Sequence, residues 1–177
     1  MINFFNKDEV FHSSKDQDLI PDKPGIYMVC LKKSLFLPKI NFKPIYSQFN
    51  NLNIIYIGIS KKSLRYRDYK THFNGNNAGR STLRKSLGSL FGYKKIPRDV
   101  NNPKNGKTKF SEMDEIKLSQ WMKESLVLFF NHKLDNYDLE SLEYDLIDYY
   151  NPLLNLSKNY NANNKGFRDE LKKLRNL

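Results

Sequence analysis

The chain has 177 residues, of which 39% are apolar and 14% aromatic, so it can bury a core without disulfides. Its single cysteine, Cys30, excludes an intrachain disulfide framework and a cysteine-rich zinc site. Thirty lysine and arginine residues against nineteen acidic ones give a formal net charge of +11, which favours a polyanionic partner such as nucleic acid.

The length suits one domain that spans residues 1–177. The first residues do not combine a basic region with an apolar stretch, and no apolar run has the length of a membrane span. We therefore expect a cytoplasmic protein without a membrane partner.

Two strands are predicted in the first third of the chain. Residues 26–31 form a short apolar run that follows two prolines and a glycine, a pattern typical of a buried strand. After an irregular connection, residues 53–59 alternate with a period of two, which indicates a second strand. This alternation predicts that Tyr56 faces away from Ile55 and Ile57.

Helices, loops and a third strand are expected in the rest of the chain. Ser63 is a suitable N-cap for a helix that begins near Leu64. Apolar spacing and breaks at proline or glycine predict the other elements. These are a helix at 81–91, a basic loop at 93–109, a helix at 115–123, a strand at 125–130, an acidic helix at 138–150 and a basic C-terminal helix at 166–177.

Four sequence elements together carry a family resemblance. The motifs Gly25-Ile26-Tyr27 and Tyr56-Ile57-Gly58 lie in the two predicted strands, and an arginine-rich segment at 64–73 follows the second. A later helix contains Glu143, ends at an Asn-Pro pair and is followed by Asn155. In this order the elements resemble those of the GIY-YIG endonuclease family.

The resemblance covers a core at residues 21–157, preceded by a short segment and followed by the basic C-terminal helix. It implies an α/β domain of the α+β type, with a small central three-stranded antiparallel sheet flanked by helices. It also implies an endonuclease that hydrolyses DNA phosphodiester bonds with Mg²⁺ or Mn²⁺, in restriction, mobile-element cleavage or repair. Double-stranded DNA is the expected partner, and cutting both strands would need a dimer or two binding events.

Phosphodiester hydrolysis requires an oriented water, a proton acceptor and positive charge near the developing phosphorane. Glu143 is the candidate metal ligand, because hard cations bind carboxylate oxygen and keep several waters. The alternative is a surface carboxylate on an acidic helix. Tyr27 and Tyr56 could orient or deprotonate the water, or could be ordinary strand aromatics. A phenol acts as a base only if nearby cations lower its pKa.

Arg67 corresponds best to the arginine of the family, and its donor fork suits two oxygens of a pentavalent phosphate. His72 lies five residues after Arg67, whereas the family usually has His or Tyr four residues after the arginine. On an ideal α-helix the two would point about 140° apart. Arg65, Tyr69 and His72 share one face and form a competing triad. A π-bulge would bring Arg67 and His72 together, so we place Arg67 first and Arg65 in reserve.

Other residues are expected to support the site or to hold DNA. Gly25, Gly58 and Asn155 are expected to be structural. Six basic residues in and beside the loop at 93–109 are expected phosphate contacts, with a merely solvated face as the alternative. They are Arg80, Arg84, Lys94, Lys95, Arg98 and Lys104.

Two other functions compete with the enzyme. The first is a catalytically silent nucleic-acid-binding module of the same fold, and the second is an RNA-binding or ribosome-associated basic protein. A pure binder does not need a carboxylate such as Glu143, and this argues against the silent module.

Overall fold

The computed structural model describes residues 4–5, 10–11, 18–38, 40–74, 78–134 and 136–176. The strands are β1 (Val10–Phe11), β2 (Gly25–Leu31), β3 (Gln48–Phe49), β4 (Leu52–Ser60), β5 (Ile96–Pro97), β6 (Thr108–Lys109) and β7 (Leu126–Asn131). The helices are a π-helix (Arg65–Phe73), α1 (Thr82–Leu90), α2 (Glu112–Ser125), α3 (Leu139–Tyr150) and α4 (Lys165–Arg175). Short 3₁₀ turns lie at Ala78–Arg80, Pro103–Asn105 and Ala162–Asn164. Within the described ranges, no helix combines the length and apolar content that crossing a membrane requires.

Five strands form one antiparallel sheet in the order β1-β7-β2-β4-β3. The three long strands β2, β4 and β7 are those predicted from the sequence, and the mixed α/β class is confirmed. The predicted count of three strands was too low, because edge strands of two residues are too short to show an alternating pattern. Strands β5 and β6 pair separately within the basic loop.

The sheet separates two apolar cores. Tyr27 and Val29 of β2 contribute to the first core, together with side chains of α1, α2 and α4. Ile26 and Met28 contribute to the second core, together with side chains of α3. Every residue of β2 is buried because helices cover both faces of the sheet.

A β-bulge interrupts the alternation of β4. Val29 pairs with Tyr56, but the next residue of β2 pairs with Ile54, so Ile55 has no partner on β2. Ile55 therefore joins Tyr56 in the first core, whereas Ile57 lies in the second. The prediction that Ile55 and Ile57 share a face was wrong, since an inserted residue reverses the alternation of side chains.

The segment that follows α3 completes the outer edge of β4. The amide of Leu154 donates to the carbonyl of Ile55 at 2.9 Å. The side chain of Asn155 accepts from the amide of Ile57 at 2.9 Å and donates to its carbonyl at 2.7 Å. One amide side chain thus replaces a neighbouring strand, which satisfies backbone groups that would otherwise be unpaired and buried.

Arg84 of α1 lies in the interior and is fully buried. Its Nη2 is 2.7 Å from the buried Oε2 of Glu115, and its Nη1 donates to the carbonyl of His72 at 2.8 Å. The prediction that Arg84 contacts phosphate was therefore wrong, because α2 covers the side of α1 that carries it. Breaking such a buried ion pair typically costs about 3–5 kcal/mol.

Candidate active site

A π-helix follows β4 and determines which of its side chains share a face. One backbone bond joins residues five apart: the amide of Asn74 donates to the carbonyl of Tyr69 at 2.7 Å. A π-helical turn brings residues five apart onto one side. Arg67 and His72 therefore both interact with the phenol of Tyr27, although an α-helix would have separated them.

A chain of buried hydrogen bonds links Tyr27, His72 and Ser81. The Tyr27 Oη lies 2.8 Å from His72 Nε2, and His72 Nδ1 lies 2.6 Å from Ser81 Oγ. Ser81 is also the N-cap of α1, and its Oγ accepts from the amide of Arg84 at 3.1 Å. The beginning of α1 thus holds the imidazole against the strand tyrosine.

Two tautomers of His72 fit the two hydrogen bonds of its ring. Ser81 Oγ already accepts from a backbone amide, and in the first tautomer its hydroxyl proton has His72 Nδ1 as an acceptor. In this first tautomer Nε2 carries the ring proton and donates it to the Tyr27 oxygen. In the second tautomer Nδ1 donates to Ser81 Oγ and the Tyr27 hydroxyl donates to Nε2, so each tautomer pairs one of the two hydroxyl protons with the ring.

The buried groups of this chain are uncharged at neutral pH. Burial lowers the pKa of His72 well below its ordinary value, and Arg67 and Arg84 lower it further. Burial raises the pKa of Tyr27 well above its ordinary value, with Tyr56 and Asp68 acting in the same direction and Arg67 opposing them. One neighbouring arginine is therefore too little to make Tyr27 a base, and orienting a water is the role that this geometry supports.

The two candidate arginines have different partners. Arg67 is half-buried, donates to the carbonyl of Arg80 at 3.4 Å and interacts with Tyr27. Arg65 instead donates to the carbonyls of Ile20 at 2.8 Å and Asp18 at 3.4 Å. The geometry therefore favours Arg67 for the site and gives Arg65 a bracing position before β2.

The two motif glycines lie at close approaches of the backbone. A Cβ at Gly58 would be 2.5 Å from the Tyr27 hydroxyl, because the two residues are paired across β2 and β4. A Cβ at Gly25 would be 2.4 Å from the carbonyl oxygen of Asn131. A side chain at either position would displace the strand or the phenol.

Tyr56 connects the hydrogen-bonded chain to an open cleft. Its ring centroid is 6.1 Å from that of Tyr27, and its hydroxyl lies 3.1 Å from Thr82 Oγ1. Tyr56 and Thr82 line a cleft of about 300 Å³ that also contains Lys172 and Arg175. A substrate in this cleft would reach Tyr56 first.

Glu143 lies on α3, and its largely buried side chain makes an ion pair with Lys158 at 3.1 Å. Among the described residues, no three His, Cys, Asp or Glu side chains form a cluster that could hold a metal ion. A single carboxylate with several waters nevertheless suits Mg²⁺. Glu143 therefore fits a hydrated cation, and Lys158 would compete for the same oxygens.

Asp68 is a buried carboxyl group that sequence reasoning did not identify. It is fully buried beside Arg67, and neither oxygen has a hydrogen-bond partner among the described residues. Burial raises its pKa well above the ordinary value, and Arg67 opposes this only in part. Asp68 lies in the π-helix, and no pattern in the sequence indicated that its carboxyl group would be buried.

Asp68→Asn is expected to reduce the loss of stability that occurs as pH rises. Folded Asp68 keeps a proton that the unfolded chain releases above about pH 4, so this group destabilises the fold at higher pH by up to about 1.4 kcal/mol per pH unit. In urea unfolding between about pH 4.5 and 8, the free energy of unfolding of the variant should rise relative to that of the wild type as the pH increases. The exposed Asp148→Asn serves as control. Parallel pH profiles for Asp68→Asn and wild type would contradict the assignment.

The basic residues predicted to contact phosphate fall into three groups. Arg80, Lys94 and Lys104 are exposed. Lys95 and Arg98 are partly buried. Lys95 donates to the carbonyl of Leu174 at 2.6 Å, and Arg98 donates to the carbonyl of Gly79 at 3.2 Å. Arg84, as described above, is buried.

Ser81 and Lys158 are the other site residues that the sequence did not reveal. Ser81 was detectable as a helix cap, since it precedes an apolar stripe, but nothing in the sequence linked it to His72. Lys158 lies in an irregular segment with a left-handed backbone, where no pattern predicts its pairing with Glu143.

Comparison with known proteins gives one result. The family model of the GIY-YIG catalytic domain matches residues 25–177, from the first residue of β2 onward. No curated protein and no solved structure gives a significant match to the chain.

Proposed function

Because the chain belongs to the GIY-YIG nuclease family, we propose that it is an endonuclease that hydrolyses phosphodiester bonds of double-stranded DNA with a divalent cation. The observation that carries this proposal is the convergence of Arg67 and His72 on Tyr27. A formal net charge of +11 favours a polyanionic substrate. Such an enzyme would suit restriction or mobile-element cleavage.

Each polar group of the site has a proposed task. Arg67 stabilises the negative charge that grows on the phosphate oxygens during attack by water. The Tyr27 hydroxyl, which is hydrogen-bonded to His72 Nε2, accepts a hydrogen bond from the attacking water through its oxygen and so orients the water, whose proton leaves to solvent as the bond from phosphorus to the leaving oxygen breaks. Tyr56 lines the adjoining cleft, where its hydroxyl can contact the same strand.

Glu143 is the residue that would hold Mg²⁺ or Mn²⁺. The bound cation would supply Lewis-acid screening of the phosphate and of the leaving oxygen. To bind the hydrated ion, Glu143 would have to break its ion pair with Lys158. The exposed cations Arg80, Lys94 and Lys104 are proposed to hold the duplex by its phosphates.

Incubation with supercoiled plasmid tests the proposal. We expect nicked and linear products with Mg²⁺, and neither with excess EDTA. The appearance of linear product at higher protein concentration would indicate that two molecules cut opposite strands. Binding of duplex without cleavage in either condition would instead support a silent binding module of the same fold.

Lys158→Ala is expected to lower the Mg²⁺ concentration that gives half-maximal cleavage. The substitution removes a cation that competes for the carboxylate of Glu143. A partly exposed ion pair is typically worth up to about 1 kcal/mol, which corresponds to a change of up to about fivefold. Lys61→Ala, which removes the partner of Glu140 on the same helix, serves as control. A higher Mg²⁺ requirement in Lys158→Ala would show that Lys158 supports the site rather than competing in it.

A further inference from the structure

The cleft beside Tyr56 contains a buried arginine near the end of α4. Arg175 is 8% exposed and lines the cleft together with Lys172. Its Nη1 donates to Ser86 Oγ at 3.1 Å. Its Nε is buried and has no hydrogen-bond partner among the described residues.

The charge of Arg175 is not compensated within the described part of the chain. None of the ion pairs found there includes Arg175. Burial lowers its pKa, and among the described residues the phenol of Tyr56 acts against this effect. A buried cation is unfavourable unless an anion and further hydrogen bonds accompany it. Arg84, in contrast, is also buried but has Glu115 as its partner.

Two lysines in the described part of the chain lie close enough to Arg175 to be repelled by its charge. Burial lowers the pKa of Lys85, and repulsion from Arg175, Lys95 and Arg98 lowers it further. Burial and repulsion from Arg175 likewise lower the pKa of Lys95. An anion placed among these groups would relieve the repulsion of several of them at once.

We propose that the cleft lined by Tyr56, Lys172 and Arg175 binds a backbone phosphate of the nucleic-acid substrate, next to the phosphate that is cut. The inference rests on the proposed function for the identity of the ligand, whereas the need for an anion follows from Arg175 itself. A guanidinium presents its donors in a planar fork that matches phosphate oxygens. Lys172, whose exposed side chain lies 3.6 Å from Asp169, can turn from that weak pair to the same phosphate.

The position of the cleft explains how it would serve the reaction. Tyr56 lines it, and the ring centroids of Tyr56 and Tyr27 are 6.1 Å apart. The amide of Asn155, which braces β4, lies at the same cleft. A strand held here would pass the hydroxyl of Tyr56, whose ring neighbours that of Tyr27, so α4 would act as a positioning element for the substrate.

The test measures binding separately from cleavage. A fluorescein-labelled DNA duplex of about 20 base pairs is titrated in EDTA with wild type, Lys172→Ala, Arg175→Gln and Lys173→Ala at several KCl concentrations. Lys173 is the matched control, because it lies on the same helix but is exposed and pairs with Glu170. Each cleft variant is expected to weaken binding about tenfold and to lower the slope of log affinity against log salt by about 0.9. The control should change neither appreciably.

Inorganic phosphate provides a second probe that does not depend on DNA. At constant ionic strength, replacing chloride with phosphate should raise the Tm of the wild type and of Lys173→Ala, but not that of Arg175→Gln. If Arg175→Gln does not fold, Lys172→Ala is the deciding variant. Phosphate is then expected to raise its Tm by less than it raises the Tm of the wild type.

The outcomes separate this inference from the nuclease proposal. Cleavage of plasmid by the wild type, with unchanged salt slopes in both cleft variants, would overturn the phosphate site and leave the nuclease intact. Lower slopes and lost phosphate stabilisation without any plasmid cleavage would support the site and overturn the nuclease. Failure of the wild type to bind duplex DNA would overturn the proposed ligand.

Discussion

Arg67→Ala is expected to lower kcat on plasmid DNA by about 10²–10³-fold, the usual effect of removing one donor to a transition-state oxyanion. Duplex affinity should change by less than about tenfold, because the arginine acts mainly on charge that develops during attack. Arg67→Lys should recover only part of the rate, since an ammonium lacks the planar fork. Single-turnover cleavage and binding in EDTA give the two quantities separately.

Arg65→Ala is the matched control for this experiment. Its guanidinium donates to the carbonyls of Ile20 and Asp18, so its loss should affect stability more than kcat. If Arg65→Ala reduced kcat more than Arg67→Ala, then Arg65, Tyr69 and His72 would be the catalytic set and the π-helical pairing would be wrong.

Glu143→Ala is expected to reduce Mg²⁺-dependent cleavage to background while duplex binding in EDTA stays equal or becomes tighter. The substitution removes the one carboxylate proposed to hold the cation, and it also removes a negative charge. It also leaves Lys158 without its ion-pair partner, and the freed ammonium group favours phosphate binding. Nicking assays across a range of Mg²⁺ and Mn²⁺ concentrations give the activity.

Glu140→Ala is the control on the same helix, because Glu140 also makes an ion pair with a lysine, Lys61. Its cleavage rate should remain within about twofold of the wild type, as expected for an exposed pair. Wild-type cleavage by Glu143→Ala would show that the cation binds elsewhere.

The sequence by itself determined the main elements and the family. Periodicity, caps and proline breaks located β2, β4, β7 and the four α-helices, because each depends on a pattern within one segment of chain. The order of the short motifs identified the family, since each motif is a contiguous stretch of the sequence. The bridging role of Asn155 was anticipated only as a general support, without its partner Ile57.

The tertiary structure decided which residues meet. An α-helix and a π-helix have the same composition signals, but only the π-helix places Arg67 and His72 together at Tyr27. Charge alone could not separate Arg84, which is neutralised by Glu115, from Arg175, which has no such partner among the described residues. The physical reason is that burial and pairing depend on contacts between segments distant in sequence, and a local pattern carries no information about those contacts.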